Sequence, residues 1–263
     1  MNLDIAFSPC PNDTFIFHAL IHRLIGATPY SLTSFISDVE ELNLRAFSET
    51  HAVTKLSFGA YLKLKDRYTL LDSGSALGFG CGPLLVAKEN LQSLETACIA
   101  VPGRYTTAFL LLQLWHPGLT NFAFVRFDEI LPGIAAGRFD AGLIIHEGRF
   151  VYPSYHCTQI VDLGEWWESQ TGLPIPLGCI AIRQDRLAYQ SAMEDLIRES
   201  IEYARRNPSA SHDYIKMHAQ ELDDEVIRQH IALYVNEFSF SLGEKGRQAL
   251  ITLEEKARCH GIL

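Results

Sequence analysis

Short apolar runs alternate with segments of helical periodicity along the first part of the chain, and this alternation restricts the fold more than any other sequence feature. Residues 3–7, 32–36 and 52–56 predict strands, because they are short, aliphatic and bounded by polar or turn-forming residues. Between the first two runs, Phe17 and Leu20 recur at helical spacing. A strand–helix–strand order predicts an α/β protein whose sheets, parallel or mixed, are covered by helices.

A second block of the same alternation follows the polar residues 88–93. It contains strand-like residues 98–101, 122–126 and 141–145, which are separated by two segments of helical character. The extended residues 173–182 can then carry the chain back to the first block, after which the periodicity is helical. The second block therefore predicts a separate small α/β unit.

We predict two α/β lobes that are joined by two hinge strands and separated by a cleft. The first lobe is discontinuous and comprises residues 1–87 plus 179–263, and the second comprises residues 88–178. Two crossings of the chain between lobes form a hinge, and a hinge of this kind suits closure around a small ligand.

The composition excludes several classes of function. The 263 residues include 48% hydrophobic and 20% charged residues, which indicates a folded protein without a membrane span. A net charge of −9 without a dense Lys/Arg cluster argues against a nucleic-acid partner.

The amino terminus lacks the pattern of an export signal, so we expect a cytoplasmic protein whose six cysteines are free thiols. The histidines and cysteines show no metal-binding spacing, and no metal site is predicted.

Polar residues follow two predicted strands at the points where helices begin. Asn12 or Asp13 could cap the first helix, and Lys55 and Ser57 end the third strand. Ligands of α/β proteins bind beyond the carboxyl ends of the strands, and helix amino termini attract carboxylates and phosphates. Such strand ends predict a site for a small anion, although capped ends also occur without one.

A third strand end carries two threonines, in the segment VPGRYTTA at 101–108. Gly103 permits a tight turn, and Thr106 and Thr107 then present hydroxyl and amide groups at a helix start. Helix capping explains Thr106 alone but gives no reason for the pair, so capping and anion binding both remain open here.

A fourth strand end delivers His146, directly after the aliphatic run at 141–145. A histidine with a pKa near its ordinary value can remove a proton from a hydroxyl or an activated C–H at neutral pH. A structural hydrogen-bonding role is the simpler alternative for a single histidine. No Ser-His-Asp order or activated cysteine is visible, so general-base chemistry is favoured over covalent catalysis.

Longer motifs connect these strand ends. They are SPCPNDTFIFHAL (8–20), TKLSFGAY (54–61), VPGRYTTAF (101–109) and GLIIHEGRF (142–150). Together they resemble the 1,4-dihydroxy-6-naphthoate synthases of the futalosine route to menaquinone. Residues 161–178 and 234–239 also resemble that family, so the likeness covers nearly the whole chain.

The resemblance implies a two-lobe fold like that of type II periplasmic binding proteins. It also implies a lyase that cleaves cyclic dehypoxanthine futalosine, a small molecule that carries a carboxylate, into 1,4-dihydroxy-6-naphthoate and a three-carbon sugar fragment. The family uses no metal or organic cofactor. Self-association into a homo-oligomer is left open by the sequence.

Individual roles follow from the same resemblance. The proton acceptor of the family corresponds to His146, and the substrate contacts correspond to Lys55, Leu56 and Ser57 and to Thr106 and Thr107. Asn12 and Arg104 are further candidates, because they lie within these motifs at the predicted cleft. Tyr105 is a departure, since some relatives have a histidine at that position.

Two other functions remain as alternatives. Chorismate dehydratase is a sister enzyme of the same pathway and fold, and the HEGRF and KLS segments favour the synthase over it. The other alternative is a protein that binds an organic anion without chemistry, which the missing export signal disfavours. A two-lobe fold alone does not distinguish the synthase from either alternative, because that fold occurs in enzymes and in binding proteins.

Overall fold

The computed structural model describes residues 2–26, 30–89, 91–220 and 223–263. Its strands form two mixed sheets. The first sheet contains β1 (Asn2–Phe7), β2 (Ser31–Ile36), β3 (Val53–Ser57), β4 (Tyr68–Leu70), β5 (Ala76–Gly78) and β11 (Ile175–Arg183). The second contains β6 (Leu84–Ala87), β7 (Ile99–Val101), β8 (Phe122–Phe124), β9 (Ala141–Ile144) and β10 (Thr158–Asp162).

The first sheet has the order β2-β1-β3-β11-β4, and β5 pairs with the beginning of β11. β1 is parallel to β2 and β3, as the strand–helix–strand order predicts. β11 is antiparallel to β3, β4 and β5, which makes the sheet mixed. The long strand β11 arrives from the second sheet and ends in the first, so β5 and β11 lie side by side where the chain crosses.

The second sheet has the order β10-β6-β9-β7-β8. β7 is parallel to β8 and β9, whereas β6 is antiparallel to β9 and β10. The strand at 84–87, which we expected in the first lobe, thus pairs within the second sheet. Sheet pairing favours a lobe boundary before Leu84, and the division into lobes remains our proposal.

Helices flank both sheets. They are α1 (Pro11–Ile21), α2 (Val39–Phe47), α3 (Phe58–Tyr61), α4 (Thr107–Trp115), α5 (Ile130–Ala135), α6 (Gly148–Val151), α7 (Leu163–Thr171), α8 (Gln190–Arg206), α9 (His212–His218), α10 (Asp224–Tyr234), α11 (Glu237–Phe240) and α12 (Gly243–Cys259). Short 3-10 turns occupy Phe127–Glu129, Tyr152–Tyr155 and Gln184–Tyr189. In the parts of the chain that the structure describes, no helix combines the length and apolar character needed to cross a membrane.

The largest hydrophobic cluster belongs to both sheets. It joins Leu56 and Phe58 of the first sheet's side to Leu85 and Leu143 of the second. Separate clusters fill the space between the first sheet and helices α1 and α8, and between the second sheet and α5. Because burial of apolar surface is the main stabilising term in folding, the shared cluster fixes the two sheets against each other.

Two helix starts differ from the sequence-based expectation. α1 has Cys10 as its N-cap without a side-chain bond, so the prediction that Asn12 or Asp13 caps it was wrong. Pro11 opens this helix, and because proline has no backbone N–H, one donor that a cap would satisfy is absent. Thr106 caps α4 as the sequence indicates, because its Oγ1 accepts a hydrogen bond from Phe109 N at 3.1 Å.

Candidate functional site

An enclosed cavity lies between the two sheets, where the strand ends singled out in the sequence meet. The empty space, with the open mouth included, is about 650 Å³. It is lined by Ser8, Asn12, Val39, Lys55, Ser57, Ala76, Cys81, Gly82, Pro83, Thr106, Thr107, Ala108, Ile145, His146, Leu177, Gly178, His230 and Tyr234. Six of the candidate residues from the sequence therefore face one space.

Strand β3 contributes Lys55 and Ser57 to the cavity wall. Side chains alternate between the two faces of a strand, so these two residues lie on one face and Leu56 lies on the other. The Leu56 side chain is fully buried in the large hydrophobic cluster and does not line the cavity. Only its backbone could approach a ligand.

A buried ion pair forms the floor of the site. Lys55 Nζ lies 2.7 Å from Asp13 Oδ1, and both side chains are almost completely buried. Asp13 also accepts hydrogen bonds from Ser8 N at 3.1 Å, from Ser8 Oγ at 2.7 Å and from Asn12 Nδ2 at 2.9 Å. A carboxylate with this many donors is well compensated for its burial. The positive charge of Lys55 is consequently offset by Asp13 before any ligand arrives.

The hydroxyl of Ser57 is held by α2. Asn43 Nδ2 donates to Ser57 Oγ at 3.1 Å, and Ser57 N donates to Asn43 Oδ1 at 2.9 Å. As an acceptor from Asn43, the Ser57 hydroxyl keeps its own proton for a further acceptor. This arrangement suits donation to a ligand oxygen.

The two threonine hydroxyls are both used within the protein. Thr106 Oγ1 donates to Gly103 O at 2.9 Å in addition to capping α4. Thr107 Oγ1 donates to Leu177 O at 2.6 Å and accepts from Gly59 N at 3.1 Å. Thr107 therefore ties α4 to α3 and β11, and this bridge accounts for the second threonine.

The amino terminus of α4 presents two backbone N–H donors to the cavity. Thr107 and Ala108 are the first two helical residues and both line the cavity. Across the described residues, no hydrogen bond from either backbone N–H is found, as is usual for the first turn of a helix. Free N–H groups at a helix amino terminus bind carboxylates.

His146 stands opposite, directly after β9. Its backbone adopts the left-handed conformation with φ 55°, which is uncommon outside glycine and recurs at functional sites. Part of the residue reaches solvent, but the Nε2 atom is buried and has no hydrogen-bond partner in the described part of the chain. The ring of Phe127 meets it edge-on, at a centroid distance of 4.9 Å.

Burial lowers the pKa of His146 from its ordinary value of 6.5 to about 4. The negative charge of Asp13 raises this pKa and the positive charge of Lys55 lowers it, so the two members of the ion pair act in opposite directions. The imidazole is neutral at pH 7, and its pKa lies below the near-ordinary value that the sequence led us to expect. A neutral imidazole can accept a proton.

Two arginines near the motifs lie outside the cavity. Arg149 donates to Gly82 O at 2.7 Å and to Asp162 Oδ2 at 2.6 Å, so it fastens the helix after His146 to the crossing segment. Arg104 is exposed, stacks on the ring of Phe124 and lines an outer groove. The structure therefore places Arg104 in an outer groove and not in the cavity wall.

Two residues of α10 that sequence reasoning did not select line the cavity. His230 is fully buried, and its Nε2 lies 3.1 Å from Asn12 Oδ1. Tyr234 donates its hydroxyl to Cys81 O at 3.2 Å. Their spacing of four places both on the buried face of α10, which was the available signal.

One group within the described ranges has metal-ligand chemistry. Cys10, His146 and Glu147 each offer a ligand atom, and these atoms lie within 4.8 Å of one another. Burial and the charge of Glu147 raise the pKa of the Cys10 thiol well above its ordinary value. The thiol is protonated at neutral pH, so a metal ion would have to displace a proton to bind there.

Comparison with known proteins identifies the family to which the chain is similar. The family model described as menaquinone biosynthesis matches residues 3–258. A 1,4-dihydroxy-6-naphthoate synthase of Thermus thermophilus is 49% identical over 261 residues, which are 99% of this chain and 95% of that protein. A Streptomyces coelicolor protein of the same name is 41% identical and covers 99% of this chain and 94% of its own length.

Solved structures agree in fold. A crystal structure of an Archaeoglobus fulgidus protein superimposes with a TM-score of 0.95 at 37% identity and covers 100% of this chain and 98% of its own. A Candida albicans gene product described as having the generic periplasmic binding protein fold gives a TM-score of 0.67 at 14% identity, with 100% and 91% coverage. The second likeness concerns the fold alone, and it matches the two-lobe architecture expected from the sequence.

Proposed function

The chain belongs to the menaquinone biosynthesis family of 1,4-dihydroxy-6-naphthoate synthases, and we propose that it converts cyclic dehypoxanthine futalosine into 1,4-dihydroxy-6-naphthoate and a dihydroxyacetone-like fragment. Two curated relatives of that name cover almost the whole chain, which supports the proposal. The observation that carries the chemistry is the buried, unpartnered Nε2 of His146 in a cavity whose opposite wall presents free helix amides.

The carboxylate of the substrate binds at the start of α4. The N–H groups of Thr107 and Ala108 donate to it, and the hydroxyl of Ser57 is placed to add a third bond. Lys55 contributes less to this attraction than its charge suggests, because Asp13 already neutralises it. We therefore assign the carboxylate to the helix amides rather than to the lysine.

His146 is the general base. Its Nε2 takes the proton from a substrate hydroxyl, and the electron pair left on that oxygen forms the carbonyl of the departing three-carbon fragment. The carbon–carbon bond breaks, and its electron pair passes into the ring system that remains. Aromatisation of that ring supplies much of the driving force. This role needs a neutral imidazole with a vacant acceptor, as His146 has.

The binding of an anion strengthens this base. A carboxylate placed in the enclosed cavity stabilises the imidazolium and raises the pKa of His146 above its value in the free protein. Proton transfer then becomes more favourable in the complex than in the empty site.

A turnover assay tests the function. Purified protein is incubated with cyclic dehypoxanthine futalosine and, in parallel, with chorismate, each with and without EDTA, and products are separated and identified by mass. We expect 1,4-dihydroxy-6-naphthoate from the first substrate alone, at the same rate with EDTA. Dehydration of chorismate, or binding of either compound without change, would refute the proposal. Loss of activity in EDTA that zinc restores would assign a metal to Cys10, His146 and Glu147.

A further inference from the structure

His230 occupies a position in the cavity that the proposed reaction does not yet use. It lies in α10, is fully buried, and has its ring 6.3 Å from the ring of His146, at an interplanar angle of 23°. On its other side, the ring contacts Tyr234 at a centroid distance of 4.6 Å. Two nearly parallel imidazoles thus belong to one cavity.

A chain of hydrogen bonds fixes the tautomer of His230. The Asp13 carboxylate only accepts, so the group of Asn12 that lies 2.9 Å from it is the amide NH₂. The amide oxygen of Asn12 therefore faces His230, where it accepts from Nε2–H at 3.1 Å. The Lys55–Asp13 ion pair thereby sets the orientation of Asn12, and Asn12 sets that of the imidazole.

This tautomer makes Nδ1 of His230 a hydrogen-bond acceptor. Nδ1 is buried and has no partner among the residues that the structure describes. An acceptor that is removed from water and left unpaired destabilises the folded protein, and such groups mark places where another molecule completes the bond. Nε2 of His146 is also buried without a partner among the described residues, in the same cavity.

We propose that His230 is a substrate-binding residue whose Nδ1 accepts a hydrogen bond from a second hydroxyl of the sugar-derived part of the substrate. The first hydroxyl belongs to His146, and Asn12 acts as the positioning residue that holds the His230 acceptor in place. Two neighbouring imidazole acceptors suit a ligand with two hydroxyl donors, as the three-carbon fragment has. The inference rests on the proposed function, since it assigns that fragment to this end of the cavity.

The test separates the donor of the His230 imidazole, Nε2–H, from its acceptor, Nδ1. In His230→Gln, the longer side chain can place its amide NH₂ near the position of Nε2 and keep the bond to Asn12, but it has no acceptor at the position of Nδ1. In His230→Asn, an amide oxygen can take the position of Nδ1. Affinities are measured by calorimetry in a His146→Asn background, where the substrate stays intact.

We expect His230→Gln to weaken the binding of cyclic dehypoxanthine futalosine about 5- to 15-fold, the loss of one hydrogen bond. Binding of 1,4-dihydroxy-6-naphthoate, which lacks the three-carbon fragment, should be unchanged, and His230→Asn should restore part of the substrate affinity. His18→Gln is the matched control, because His18 is also buried but lies outside the cavity. It should leave both affinities unchanged.

The results that would refute the assignment of His230 differ from those that would refute the proposed function. Equal losses of affinity for substrate and product, or unchanged substrate affinity in His230→Gln, would overturn the assignment and leave His230 with a packing role. Wild-type protein that does not turn over the substrate would instead refute the proposed function. The turnover assay of the wild type, run first, keeps the two failures apart.

Discussion

At the scale of single residues, His146 combines a left-handed backbone with a buried ring nitrogen, Nε2, that has no partner among the described residues. The motif in which it lies identified it from the sequence, because a histidine directly after an aliphatic run is placed at a strand end. Its environment could not be predicted in the same way. The lowered pKa arises from burial, and the two charges that act on it belong to Asp13 and Lys55, which are distant in the chain.

The lowered pKa predicts the acid limb of the pH–rate profile. A base acts only when it is unprotonated, and His146 with a pKa of about 4 stays unprotonated as the pH falls through 6.5. We expect kcat/KM, which reports the free enzyme, to stay level from pH 7 to about 5 and to fall near pH 4. The profile is measured in buffers of constant ionic strength.

The profile of kcat should differ in a defined direction. It reports the substrate complex, in which the bound carboxylate raises the pKa of His146, so its acid limb should lie at higher pH than that of kcat/KM. An acid limb of kcat/KM centred near 6.5 would contradict the account. It would mean that His146 is solvated in the free enzyme or that another histidine is the base.

At the scale of elements, Thr107 connects three segments around the anion site that we propose. Its hydroxyl joins α4 to the backbone of Gly59 in α3 and of Leu177 in β11. Glu40 of α2 adds a second bridge, since its carboxylate accepts from Tyr105 N at 3.0 Å. The start of α4 is thereby held by α2, α3 and β11.

Thr107→Val removes the first bridge without changing the size of the side chain. The C=O of Leu177 and the buried N–H of Gly59 lose their partner, so we expect the free energy of unfolding to fall by about 1–3 kcal/mol. Substrate affinity should also fall, because the donors at the start of α4 shift. Thermal denaturation and calorimetric titration measure the two effects.

Thr107→Ser is the matched control, since it keeps the hydroxyl and should retain both stability and affinity. Unchanged substrate affinity in Thr107→Val would reduce the threonine pair to a structural role in capping and packing. The choice between capping and anion binding, which the sequence left open, would then be decided for capping.

Elements were predicted better than their ends and contacts. Most strands were predicted from aliphatic runs, because a strand that is buried on both faces has a locally apolar sequence. The cap of α1 was missed, since Asp13 is used by Lys55, a partner that no local pattern reveals. His230 was missed for the same reason, because its importance depends on Asn12 and on the cavity rather than on its own helix.

At the scale of the whole molecule, the two sheets share one hydrophobic cluster and enclose the cavity between them. The sequence predicted two lobes and two crossings, but it placed the strand at 84–87 on the other side of the boundary. The close backbone packing where the chain passes between the two sheets could not be predicted. A Cβ at Gly82 would lie 2.1 Å from Gly164 N, and such a pair of glycines, distant in sequence, is visible only in the fold.

We propose that this site performs chemistry through His146 rather than binding alone. A substitution that keeps the fold is needed, and Asn tolerates the left-handed backbone of His146 better than most residues. His156→Asn is the matched control, because His156 has the same φ of 55° and is exposed outside the cavity.

The most direct measurement is the single-turnover rate of wild type, His146→Asn and His156→Asn with cyclic dehypoxanthine futalosine, with the dissociation constant of each measured alongside. We predict that His146→Asn slows the chemical step by about 10²- to 10⁴-fold with little change in affinity, and that His156→Asn matches the wild type. A His146→Asn protein that turns over at the wild-type rate would contradict the account and remove His146 from the role of base.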